Sequence, residues 1–165
     1  MMEQHGRPWR PWLISGLTLW LDQLAKFLVT RSFAPGESLP VIPHLVSLTY
    51  VQNTGAAFGI LKGQQGLFVL ISFIIVAWIM WELITKPVLD VPIWWGSALI
   101  LGGAVGNLID RLRLGYVIDF IDLHVWPVFN VGDSAITIGV TLLIFRSLIA
   151  SRNDRTSGKQ GRSDA

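Results

Sequence analysis

The 165-residue sequence contains no cysteine, which excludes disulfides, thiolate metal sites and a cysteine nucleophile. Its three histidines, His5, His44 and His124, are too dispersed to mark a metal cluster, so neither a metal nor another cofactor is expected. Charge is also scarce: 15% of residues are charged against 52% hydrophobic, and mean hydropathy is +0.52. A soluble domain of this size is rarely so apolar, and lipid is the expected solvent for most of the chain. The formal net charge of +2 comes with no basic stripe and no interleaving of basic and aromatic residues, so nucleic-acid binding is not expected. G-x-S-x-G and H-E-x-x-H are both missing, which removes the serine-hydrolase elbow and the zinc-protease helix. There is no internal repeat.

What is present is a set of four apolar runs, over about 12–30, 66–84, 91–108 and 134–150. At about 1.5 Å per residue each run is long enough to cross a hydrocarbon core of about 30 Å. The first run carries Asp22 and Lys26 and is followed by no small-residue cleavage site, so it reads as a retained helix and not a cleaved leader. Four crossings put both termini on one side. Eight Lys and Arg residues fall on that side and five on the other, so the positive-inside rule places both termini in the cytoplasm. Trp9, Trp12, Trp94, Trp95 and Trp126 lie near span ends, where an interfacial aromatic belt belongs. The fold class expected is therefore an all-α membrane protein with four transmembrane helices. The outer loops add a small extracytoplasmic β element over 37–53 and a short helix within "TGAAFGILKG". Residues 1–150 form a single domain, and the polar segment 151–165 is expected to be a disordered cytoplasmic tail.

Ionisable groups in or beside lipid are costly, and their positions are informative for that reason. In the topology above, Asp22, Lys26, Asn53, Asn107, Asp110, Arg111, Asp119, Asn130 and Asp133 all converge on one layer at the outer interface. Several have plain structural explanations. Asp22 and Lys26 stand at i and i+4, the spacing of an intrahelical ion pair, or they hold the outer loops around a site. Arg111 can cap the end of its helix and pair with Asp110. Asp133 before an apolar run has the look of a helix N-cap. Asp119 is different, because Val117, Ile118, Phe120 and Ile121 surround it and a lone charge there tends to take up a proton. Asp122, three residues further along an extended segment, faces the other way. No role falls to His124.

Five stretches, "DQLAK" at 22–26, "NTGAAFG" at 53–59, "GNLIDR" at 106–111, "VIDF" at 117–120 and "FNVGDS" at 129–134, occur in this order in a four-span chain. Together they resemble the lipoprotein signal peptidases, or signal peptidase II family, over nearly the full length. The resemblance implies an aspartic endopeptidase of the bacterial inner membrane that removes signal peptides from prolipoproteins, cutting before a diacylglyceryl-modified cysteine. It places the family's catalytic aspartates on Asp119 and Asp133. Its other motif residues fall on Asp22, Lys26, Asn53, Asn107, Arg111 and Asn130, in substrate-binding or site-supporting roles. Membrane lipid and the lipidated prolipoprotein are the expected partners, and a monomer is the expected state. The family usually has Ala where this chain has Gly132, a change that loosens the backbone but removes no functional atom.

Other readings fit less of the sequence. A conduction pathway needs polar residues through the full depth of the membrane, whereas the inner half offers only Glu82. A passive scaffold has no use for clustered Asp and Asn. "NVGDS" partly matches the GxGD pattern of another intramembrane protease class, which normally needs a second aspartate on another spanning helix and a longer chain.

Overall fold

The computed structural model describes residues 9–55, 64–86 and 90–160, with side chains described through residue 150. Four helices, α1 (Arg10–Ser32), α2 (Gln65–Thr85), α3 (Val91–Leu114) and α4 (Val131–Gln160), are each long and apolar enough to span a bilayer. Three strands, β1 (Ser38–Ile42), β2 (Val46–Asn53) and β3 (Val117–Asp122), form an antiparallel sheet in the order β1-β2-β3. The sheet lies at the ends of α1 and α3, where Val29, Tyr50, Ile118 and Phe120 make a small apolar core. The short helix expected in the outer loop falls on residues 56–63, which lie outside the described residues.

The third strand was not expected as such. Its sequence, VIDFID, is too short and too apolar to show a period, and only its pairing with β2 at Asn53↔Val117 and Val51↔Asp119 makes it a strand. Two helix boundaries also differ from the sequence reading, each for a local reason. α3 continues six residues beyond 108, to Leu114, because its stop signal is Gly115, whose positive φ of 80° supplies a left-handed cap. α4 begins at Val131, three residues before the expected start, and continues through Gln160 where a disordered tail was expected from 151. No proline interrupts that segment, and extending a nucleated helix requires no new nucleus. Residues 161–165 lie outside the described residues.

α3 is the hub of the bundle, packed against each of the other three helices. Lipid supplies no hydrophobic drive between helices, so close backbone approach must supply van der Waals contact instead. α3 provides it with glycines. A β-carbon at Gly102 would lie 2.6 Å from the Ser15 carbonyl oxygen of α1, and one at Gly103 would collide with the Gly132 carbonyl of α4. At Gly106 the obstacle is the Asp22 carboxylate itself. These contacts bring α1 and α4 close enough for their polar side chains to meet across α3.

Candidate active site

The polar layer begins with a buried cation. Lys26 is 1% exposed, and its ammonium donates to Asp22 Oδ2 at 2.8 Å, Asp110 Oδ2 at 2.9 Å and Asn107 Oδ1 at 2.8 Å. All three protons are thereby used, which is what makes a charge tolerable at this depth. The i, i+4 pair of Asp22 and Lys26 is thus part of a larger network. Asp22 also accepts the Gly132 N–H at 2.7 Å, one of the orphan donors at the start of α4. Asp110 does not pair with Arg111. It faces Lys26 and accepts the Ile118 N–H at 3.2 Å, which anchors the start of β3 to α3. Arg111 instead reaches back to the Asn107 carbonyl at 3.4 Å and lies 5.4 Å from the Phe68 ring centroid.

Lys26 also orients Asn107. With the amide oxygen committed to the ammonium, the amide nitrogen must face the other way, and it donates to Asp133 Oδ1 at 2.8 Å. The second oxygen of Asp133 accepts the Asn130 N–H at 3.2 Å, while Asn130 Oδ1 accepts the Asp133 N–H at 2.8 Å. This reciprocal pair is a capping box. Asn130 is therefore the N-cap of α4, and Asp133 sits in the first turn and not at the cap position expected from sequence.

Asn130 is fully buried, and its amide nitrogen donates to Asp119 Oδ1 at 2.7 Å. It also reaches Asn107 Oδ1 and the Ile118 carbonyl. The other oxygen of Asp119 accepts from Asn53 at 2.8 Å, a diagonal cross-strand contact set by the β2–β3 register. One asparagine thus touches both carboxylates. Burial, followed by the negative charge of Asp133, pushes the Asp119 carboxyl up to about 7, although the bonds from Asn53 and Asn130 oppose the rise. This carboxyl therefore gains and loses its proton near neutral pH. Asp122, on the far side of β3, accepts from Thr49 at 3.0 Å and from the His124 N–H at 2.8 Å, away from this cluster.

Two cavities meet beside the carboxylates. A cleft of about 340 Å³ under the sheet is lined by Asn53, Arg111, Asp119, Trp126, Phe129 and Asp133. A groove of about 580 Å³ between α2, α3 and α4 is mostly apolar and runs from Asn107, Arg111 and Asp133 down to Glu82. Phe68 and Arg111 line both. All eight site residues singled out in the sequence come together in this layer. Gln23 and Phe68 were not anticipated: Gln23 joins Asp22 and Asp110 at 3.3 and 3.1 Å, and Phe68 faces Arg111. Gln23 sits at i+1 of a motif aspartate and left a sequence signal for that reason; Phe68 lies in a uniformly apolar helix and left none.

Four spanning helices with a buried carboxylate pair between two cavities define an integral membrane protein of the aspartic hydrolase type. The family model for signal peptidase (SPase) II matches residues 14–149, and the chain belongs to that family. It is 46% identical to the lipoprotein signal peptidase of Moorella thermoacetica over 154 residues, covering 91% of this chain and 96% of that protein. The corresponding protein of Halothermothrix orenii is 45% identical over 78% of this chain and 88% of its own length. A solved bacterial membrane enzyme superposes with a TM-score of 0.82 at 35% identity, over 87% of this chain and 90% of that one. The activity of the chain is accordingly that of an aspartic peptidase acting on lipoprotein signal peptides.

Proposed function

We propose that Asp119 and Asp133 are the catalytic pair and that the bond cut is the one before a diacylglyceryl-modified cysteine. The observation that carries this reading is Asn130, which binds both carboxylates and so fixes their mutual geometry. The pair holds one proton. The ionised member removes a proton from a water attacking the scissile carbonyl, and the protonated member donates a hydrogen bond to the carbonyl oxygen as charge develops there. The tetrahedral intermediate then collapses: the C–N bond breaks as the proton taken from water passes to the leaving cysteine nitrogen. The proton belongs to the pair and not to either residue. Asn53, Asn107 and Asn130 fix the carboxylates, Lys26 with Asp22 fixes Asn107 and α4, and Arg111 stands where a substrate main chain passes between cleft and groove.

The groove suits the lipid. Moving a diacylglyceryl chain out of the bilayer costs about 0.8 kcal/mol per methylene, so the peptidase works where the lipid lies. A diacylglyceryl chain held between helices beside the aspartates would fix the scissile bond opposite them. The apolar groove that opens next to Asp133 is bounded by α2, α3 and α4, because α1 is committed to the Lys26 network. The site is at the outer face of the bacterial inner membrane, with both termini in the cytoplasm, and a single chain holds every residue named.

The test is cleavage of one prolipoprotein with and without its diacylglyceryl group by purified protein in bilayers. Lipid anchoring sets the depth of the scissile bond, and the lipidated form is expected to be cut faster by at least about a hundredfold. Equal rates would place recognition in the peptide alone.

A further inference from the structure

A second polar cavity lies on the opposite side of α3. It measures about 440 Å³ and is lined by Gln23, Lys26, Phe27, Thr30, Tyr50, Asp110, Arg113, Leu114, Tyr116 and Ile118, with Gln23, Lys26 and Asp110 on its deep side. Arg111 and Arg113 are two residues apart on a helix, about 200° around its axis, and so point in opposite directions. Arg111 takes part in the carboxylate site. Arg113 is exposed and has no hydrogen bond or ion pair among the described residues.

The groups around Arg113 match the head of a lipid. Gln52 donates to the hydroxyls of both Tyr50 and Tyr116, at 3.2 and 3.1 Å, and so sets the two phenols side by side. Each phenol is an acceptor in that contact, which leaves a phenol proton for an acceptor outside the group. Arg31 lies over the Phe27 ring at 5.2 Å, on the same end of the bundle, and adds a second cation. Asp110, in the cavity wall, shares the single Lys26 ammonium with Asp22, which leaves one formal negative charge there against the two cations Arg113 and Arg31. Below this level Phe27 is exposed to the bilayer, and the same face of α1 presents Trp20, Leu24 and Leu28, a surface suited to acyl chains.

We propose that this α1–α3 cleft binds the phosphodiester head of an anionic phospholipid, with Arg113 as the principal contact and the Tyr50–Tyr116 hydroxyl pair as the second. Its chains descend along α1 on the side of the bundle away from the peptidase groove. The site is distinct from the one that receives substrate, and does not depend on which carboxylates perform cleavage.

The experiment is native mass spectrometry of the full chain released from bilayers of equal parts phosphatidylglycerol and phosphatidylcholine. The wild type is expected to retain phosphatidylglycerol preferentially. Arg113→Gln should lower that retention about tenfold, the usual scale for a hydrogen bond to a charged group, and Arg113→Lys should restore part of it. Cleavage of lipidated prolipoprotein by Arg113→Gln, measured in parallel, is expected to persist, which separates failure of this site from failure of the peptidase. Equal retention of both lipids by the wild type, or undiminished phosphatidylglycerol on Arg113→Gln, would overturn the proposal. So would displacement of the lipid by millimolar inorganic phosphate, which would make the cleft a site for the free anion.

Discussion

Asn107 has a side chain whose two ends do different work: its oxygen completes the shell of Lys26 and its nitrogen holds Asp133. The buried cation thereby acts on Asp133 through Asn107. For the pair itself, Asp119→Asn and Asp133→Asn are each expected to abolish cleavage in a folded protein, since an amide keeps the shape but cannot exchange the proton. Asp122→Asn should retain most activity, because its partners are Thr49 and His124 on the other face of β3. Turnover of a lipidated prolipoprotein by the three purified variants checks all of this.

The same residue sets a dependence of stability on pH. The folded value of Asp119, about 7, lies above its ordinary value of 3.8. Its contribution to stability is therefore complete below about pH 3.8, declines as pH rises, and is lost through about pH 7. The total is on the order of a few kcal/mol. In unfolding measurements across this range, Asp119→Asn should gain on the wild type steadily until about pH 7 and remain level above it. A constant difference from pH 4 to 8 would contradict the raised value of the Asp119 carboxyl.

At the scale of elements, the polar layer depends on how closely α1 and α4 approach α3. Gly103→Ala sets a methyl against the Gly132 carbonyl, and overpacking of this kind costs about 1–3 kcal/mol. Gly16 has nothing within 4 Å of a would-be β-carbon, so Gly16→Ala should leave thermal unfolding unchanged or slightly raised. A melting comparison of the two variants in detergent distinguishes packing from helix propensity. Gly132 belongs to the same contact: a β-carbon there would lie 3.0–3.1 Å from the Gly103 carbonyl, Asn130 Oδ1 and Asp22 Oδ1. The glycine gives these neighbours room as well as loosening the backbone.

Legibility from sequence followed the strength of the local signal. Apolar runs of about 20 residues announce helices with little competition, and their polar interruptions marked the site. β3 was read only as an extended segment, because its pairing partner lies 64 residues away at Asn53↔Val117. The extent of α4 was missed because its capping box, Asn130 with Asp133, includes an aspartate that looked like the cap itself. Arg111 was assigned to Asp110 by spacing, yet Lys26 on another helix was the better partner, and no local pattern reports that.

For the whole molecule, orientation decides the side on which cleavage occurs. On the orientation we propose, the count of eight Lys and Arg against five sets the carboxylate layer outside. Reporter fusions at the C-terminus should show cytoplasmic location. A reporter found outside would reverse the face of the membrane on which the substrate is met.

The shell of Lys26 also bears on biogenesis. Within the middle of α1 the ammonium and Asp22 cancel, so only Arg10 and Arg31 at its two ends remain as net charge when this helix enters the bilayer. α3 then arrives carrying Asp110 and Asn107, the two remaining acceptors for the ammonium. α4 contributes the Gly132 N–H to an Asp22 already held in place. Chain order is thus the order in which the acceptors of one buried cation are supplied, and an α1 made without α3 would leave Lys26 two ligands short in lipid.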